Sequence, residues 1–337
     1  MVTVFLNPIL VKPDRAADLR DTAYTLMNTT MPVPGSPQDA ASPSGDDGRM
    51  RCDIAGIPFD FVVATEVAGM IDTWRRSGVR NYISITNAHS VMVCRRDAEM
   101  RQATTHAALT LPDSIGIVLA AMILGYGRYQ RTTGPELMLR ICDQGREYGL
   151  RHFFFGGGAG VAERLALRLS ERFPGLAVAG TYAPPFRYLD AAEDQAVVDR
   201  INVSRADVLW VGLGAPKQEK WIAGHAGQIQ ATTMIGVGAA FDFHSGKVKW
   251  APTWMRRMGL EWIHRLVLNP KRMWRRNLDS PLFVGLVCWQ RMRMALYGQG
   301  AMPECGAAAT SAPGTTNTNR DSRPDGGVAR DLHHTAR

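Results

Sequence analysis

The chain has 337 residues, 45% hydrophobic content and a formal charge of +8, enough for one large or two modest cores. No apolar run approaches the roughly 18 residues of a membrane span; the longest late candidate, Pro281 to Trp289, is too short, and the apolar Val2 to Val11 lacks a basic leader and a cleavage pattern. Five scattered cysteines (Cys52, Cys94, Cys142, Cys288, Cys305), with no CxxC and no His/Cys cluster at zinc spacing, favour a reducing, cytoplasmic setting and no structural metal.

Residues 1–49 read as a lead that ends in a Pro/Ser/Gly linker over 28–49. Strand and helix signals then alternate. Asn81 to Thr86 predicts a strand, Ala88 to Gln102 a helix, and Leu109 to Leu111 a short strand ending at Pro112-Asp113. Ile115 to Leu124 is uniformly apolar and helical; it reads as core or as a subunit contact, which leaves a homo-oligomer open. An amphipathic helix follows over Pro135 to Tyr148, then a strand over Arg151 to Phe155 that enters GGGAG. A helix over Val161 to Arg172, a strand over Ala177 to Thr181 and a helix over Ala191 to Ser204 continue the pattern. A strand over Val208 to Leu213, a helix beginning near Pro216 and a strand over Thr233 to Val237 complete it. Such alternation implies an α/β domain over 50–246, a Rossmann-like, mostly parallel sheet covered by helices.

The tail differs. From Lys247 to Gln299 eleven Lys/Arg stand against two acids, Glu261 and Asp279, and five of the eight tryptophans lie there. Thr253 to Leu268 has helical spacing, Pro270 interrupts it, and a second short helix is expected from Lys271. Residues 247–299 thus read as a basic, Trp-rich helical appendage suited to a polyanion or an anionic membrane surface. A solvated charged face with indoles in the core is the plainer account. Residues 300–337 lack an apolar period and read as a disordered tail.

Three junctions could carry chemistry. GLGAPKQEKW, Gly212 to Trp221, is a strand–turn–helix junction of the kind where open α/β sheets bind ligands. Gly212 and Gly214 permit close backbone approach, and Gln218, Glu219 and Lys220 bring amide, carboxylate and ammonium groups to a helix N-terminus. An ordinary connection with solvated charges explains the same residues. Asp113 in LPDSIGIV ends a strand, where a carboxylate can meet a ligand; it could equally cap the next helix. GGGAG, Gly156 to Gly160, is a weak dinucleotide fingerprint, because the chain reads AVAGTY where an acidic ribose partner is expected.

Six blocks in order resemble the WecG/TagA/CpsF family of bacterial glycosyltransferases: TNAHSVMV (Thr86 to Val93), LPDSIGIV (Leu111 to Val118), RTTGPEL (Arg131 to Leu137), GAPKQEKW (Gly214 to Trp221), GVGAAFDFHSGKVKWAP (Gly236 to Pro252) and GLEWIHRLVLNPKRMWRR (Gly259 to Arg276). The resemblance implies transfer of a sugar of N-acetylmannosamine, uronic acid or glucose type from a UDP donor to a polyprenyl-diphosphate-linked saccharide, with inversion, at the inner face of the cell membrane, for surface polysaccharide. It assigns the base to Asp113. It places Asn87, with Thr86 beside it, on sugar hydroxyls, and Gln218 on the donor with Glu219 beside it. Arg131, Arg265, Arg272 and Arg275 fall on diphosphate. No Asp-x-Asp triplet is present, so transfer without a metal cofactor is expected, with arginines neutralising charge. Ser114, Ile115 and His89 depart from the family pattern, and bear on sugar selectivity.

Two other classes fit parts of the chain. A nucleic-acid-binding protein would use the basic tail but leaves GAPKQEKW and the α/β core unexplained, so no nucleic-acid partner is expected. An NAD-dependent oxidoreductase rests on GGGAG alone.

Overall fold

A computed structural model describes residues 49, 51–268, 270–271 and 279–296. The expected domain is a six-stranded, wholly parallel sheet in the order β4-β3-β8-β7-β5-β6. Its strands are β3 (Asn81–Thr86), β4 (Leu109–Pro112), β5 (Arg151–Gly156), β6 (Ala177–Tyr182), β7 (Val208–Gly212) and β8 (Thr233–Gly236). The chain leaves β3 in one direction for β4 and β5 in the other for β6, then fills the gap with β7 and β8. The strand ends flanking that gap form the crevice where sheets of this kind bind ligands.

The pleat sorts the core. On β5, Phe154 joins one face with Trp210, Ile83 and Ile235, while Phe153 and Phe155 join the other with Leu209, Val211 and Met234. The first face is covered by α1 (Val67–Arg76), α5 (Gly134–Gln144), α6 (Val161–Arg172) and α9 (Ala240–His244), the second by α7 (Ala191–Val203) and α8 (Lys217–His225). Burial on both faces explains why these strands are continuous apolar runs without alternation. Each fully buried large side chain contributes about 1.5–3 kcal/mol.

Three expectations change. The single helix over Ala88 to Gln102 is two, α2 (Ala88–Cys94) and α3 (Ala98–Thr105). Asp97 goes extended between them and its side chain accepts from Met100 N at 3.0 Å, so a cap replaces the helical turn. The helix over Pro135 to Tyr148 stops at Gln144. The helix over Thr253 to Leu268 breaks into α10 (Thr253–Arg257) and α11 (Glu261–Leu268), with the turn passing through Gly259 at φ +74°. Only a residue without Cβ adopts that angle freely, and a Cβ there would come within 3.0 Å of Ile115.

A hairpin, β1 (Arg51–Ile54) with β2 (Ile57–Asp60), precedes the sheet. With α2, α3, α4 (Ile115–Leu124) and the last helix, α12 (Asp279–Leu296), it encloses a third apolar cluster. Phe283 and Val287 of α12 are buried there against Ile117, Ala121, Phe59 and Ile57. Gln290 seals the contact: its Oε1 accepts from Ala55 N at 2.8 Å and its Nε2 donates to the Asp53 carbonyl at 3.0 Å. The last helix of the C-terminal appendage is therefore packed into an apolar core. Helix α4 also departs from a simple core helix, since Ile115, Leu119, Met122 and Ile123 stay exposed on its outer side. Among the described residues no helix is long and apolar enough to cross a membrane.

Candidate active site

Where β3 and β4 end, the sheet ladder runs one residue further: Asp113 N donates to the Thr86 carbonyl at 3.0 Å. Asn87 follows and caps α2, its Oδ1 accepting from Ser90 N at 3.0 Å. That bond fixes the amide so that Nδ2 donates to Asp113 Oδ2 at 3.4 Å. The capping alternative for Asp113 fails, because the N-cap of α4 is Ser114. Asp113 is thus left facing the strand ends.

Thr132 N donates to the Pro112 carbonyl at 2.7 Å, which brings Arg131 beside Asp113. Helices α10 and α11 cover this edge. Arg131 donates through Nη2 to the Arg256 carbonyl, and its Nη1 lies 3.6 Å from Glu261 Oε2. Arg265, one turn after Glu261, has Nη2 3.9 Å from Glu261 Oε1 and lies over the Phe243 ring at 5.1 Å. Trp250 Nε1 donates to the same Oε1 at 2.7 Å. Burial pushes the Asp113 carboxyl above the usual carboxylate range; Arg265 opposes the rise, Glu261 adds to it, and Asn87 and Arg131 oppose it.

Asp113, Asn87, Arg131 and Arg265 are therefore brought together, while the other sites read from the sequence divide. Thr86 is buried with its hydroxyl bonded to Ser84 Oγ at 2.9 Å, so only its carbonyl reaches the edge. Gln218 is also buried; its Oε1 accepts from Gly214 N at 3.2 Å and its Nε2 donates to Glu219 Oε1 at 2.9 Å, bracing the GLGAP turn from beneath. Glu219 lines a small internal cavity with Ser84 and Gly236. Lys220 binds Asp97 at 2.7 Å and Glu99 at 2.9 Å, tying α8 to α3. Gln218 thus holds the turn in shape, while Lys220 joins two helices. Arg272 and Arg275 lie outside the described residues. Two of the GGGAG glycines serve packing: a Cβ on Gly156 would fall 2.6 Å from the Gly212 backbone, and one on Gly157 would fall 2.9 Å from the Val161 side chain.

Sequence reading missed Glu261 and Trp250 as site residues. The available signal was that Glu261 is one of two acids in a strongly basic stretch. His89, a departure from the family pattern, has a structural role: its Nδ1 lies 2.6 Å from Asp279 Oδ2, and Arg96 holds the other oxygen, so α2 grips the start of α12. Among the described residues no group of three or more His, Cys, Asp or Glu side chains is arranged to hold a metal ion.

An open parallel sheet with a carboxylate and two arginines over its C-terminal edge is the frame of an α/β enzyme. The glycosyl transferase WecG/TagA/CpsF family model matches residues 52–296, and the chain belongs to that family. It is a glycosyltransferase. The chain is 34% identical over 181 residues to an N-acetylglucosaminyldiphosphoundecaprenol N-acetyl-beta-D-mannosaminyltransferase of Bacillus spizizenii, covering 54% of this chain and 68% of the relative. A protein of the same name from Staphylococcus aureus is 30% identical over 243 residues, 69% of this chain and 91% of the relative.

Proposed function

We propose that the enzyme transfers an N-acetylmannosamine-type sugar from a UDP donor to a polyprenyl-diphosphate-linked saccharide, with inversion, in the synthesis of a bacterial surface polysaccharide. The observation that carries the reading is Asp113, a carboxylate made more basic by burial and held by Asn87 between two arginines. The relatives' names support the sugar and the acceptor.

In this mechanism an acceptor hydroxyl oxygen attacks C1 of the donor sugar. The C1–O bond to the β-phosphate breaks, and UDP leaves with the electron pair. The hydroxyl proton passes to the Asp113 carboxylate. Attack from the face opposite UDP turns an α-linked donor into a β-linked product. Arg131 and Arg265 supply charge-assisted bonds to diphosphate oxygens, where negative charge grows as the bond breaks. Arg272 and Arg275 are proposed to add to them, so that no metal is required. Asn87 orients the base and offers its amide to a sugar hydroxyl. Gln218 and Glu219 support the donor side by shaping the GLGAP turn.

The membrane is the proposed place of work. Trp254 and Trp262 are exposed on α10 and α11 and Trp289 on α12, and basic groups near an anionic leaflet each add about 1 kcal/mol of attraction. The test incubates the full chain with a synthetic polyprenyl-diphosphate N-acetylglucosamine and a panel of UDP-sugars. Release of UDP with a β-linked disaccharide, assigned from the one-bond C1–H1 coupling, is expected with UDP-N-acetylmannosamine. Transfer of another sugar alone would change the donor, and an α-linked product would remove the single-displacement mechanism.

A further inference from the structure

Glu261 poses a chemical question. It is a carboxylate, buried to 9% exposure, at the spot where two arginines should await a diphosphate. A second anion there competes with the ligand, so its retention calls for a reason. It joins three segments: the α4–α5 connection through Arg131, the approach to α10 through Trp250, and its own helix through Arg265.

We infer that Glu261 is a positioning residue for the transfer, holding the guanidinium groups of Arg131 and Arg265 away from Asp113 so that the base stays unpaired and the arginines keep donors for diphosphate. The inference rests on the assignment of Asp113 as the base. Both arginines lie close enough to Asp113 to favour its charged form. Without a competing carboxylate, at least one of them would pair with Asp113, making it a weaker base and covering the oxygen that must meet the acceptor hydroxyl. Glu261 gives each guanidinium a different partner. The Trp250 indole fixes Oε1 of that carboxylate and leaves Oε2 facing Arg131. Arg265 keeps a buried Nε–H with no hydrogen-bond partner among the described residues, a donor still available.

Among the described residues the charged groups around this centre are few. Asp113 is faced by Arg265, Glu261, Asn87 and Arg131. Arg256 on α10 is turned to Glu136 at 3.5 Å and to the face of Trp250 at 3.8 Å. His264 is the neighbour of Arg265 on α11.

Glu261→Gln keeps the side-chain shape and an oxygen to accept from Trp250 but removes the charge. Its direct readout is the titration of Asp113 by carboxyl NMR in the full chain labelled at aspartate, with Asp113→Asn identifying the signal. Glu261→Gln should move the Asp113 midpoint to lower pH. The acid limb of kcat should follow it, and the plateau should fall about 3–10-fold as the base weakens. Glu261→Asp withdraws the charge by one methylene and should give a smaller shift in the same direction; it carries the test if the Gln variant fails to fold. An unchanged or raised Asp113 midpoint in a folded variant overturns the inference. The NMR readout needs no turnover. Failure of sugar transfer by the unmodified enzyme would instead strike the functional reading, so the two failures are told apart.

Discussion

Replacing Asp113 with asparagine should cost activity and add stability, and the two effects have one cause. Burial holds the Asp113 carboxyl above its usual range despite Arg265, Arg131 and Asn87. The folded protein therefore favours the protonated form more than the unfolded chain does. Between the ordinary aspartate value of 3.8 and the raised folded value, the folded state holds a proton that the unfolded state has lost. Stability must fall with rising pH across that window and stay reduced above it, by about 1.4 kcal/mol for each unit of the rise. The asparagine side chain in the Asp113→Asn variant cannot ionise and escapes the loss. The difference in unfolding free energy, variant minus wild type, should grow from pH 3.8 upward and then level off. Urea unfolding followed by tryptophan fluorescence from about pH 4 to 8 measures it, since Trp210 is fully buried and reports the core. Turnover should drop about 10²-fold or more, the usual loss for a general base. A stability difference that is flat with pH, or that shrinks as pH rises, would refute the electrostatic argument; near-normal turnover would reject Asp113 as the base.

Other perturbations follow from the same geometry. Arg265→Ala should lower kcat/KM about 10–150-fold, from loss of charge-assisted bonds of about 1.5–3 kcal/mol, and should move the acid limb to higher pH, because Arg265 restrains the Asp113 rise. Gly156→Ala should destabilise the fold by about 2–4 kcal/mol in urea unfolding, through a backbone clash and a strained φ, since the new Cβ lands 2.6 Å from Gly212 at φ +127°. Asp279→Ala should cost about 1–3 kcal/mol, the range for bonds to charged groups, and should raise hydrogen exchange in α12 before the sheet, because His89 and Arg96 hold that helix through Asp279. Excess EDTA should leave the initial rate intact; a rate that vanishes and returns with magnesium or manganese would give the leaving-group charge to a cation.

The sheet was legible because strands buried on both faces, such as Val208–Gly212, must be apolar runs, and six strand signals stood between helical segments. Asp113 and Asn87 were legible as strand-end residues whose neighbours identify a family. The hairpin over Arg51 to Asp60 was not, since four-residue strands carry too few positions to show a period. Lys220 and Glu219 looked like solvated or ligand-binding charges because sequence does not say which neighbours a helix will meet; Asp97 and the Gln218 amide are distant or unmarked partners. Charge count did not reveal the packing of the last helix. Its basic residues suggested a surface element, whereas Phe283 and Val287, one turn apart, decide its place. Glu261 was hidden for the opposite reason: a lone acid among bases reads as charge balance until Arg131, far away in the chain, is seen against it.

The third apolar cluster sets the order in which this enzyme can be made. Its walls come from residues 54–59 and from Phe283 and Val287, separated by nearly the whole described chain. A nascent chain leaves the ribosome at about 5–20 residues per second, so the hairpin and the inner side of α4 emerge well before the helix that shelters them. Until then the part of α4 that Phe283 and Val287 cover adds to the apolar side chains already exposed on its outer side. Chains released early, by a stop codon before Asp279, would carry an intact parallel sheet and an unsheltered apolar helix beside Asp113. Such products should be insoluble or degraded.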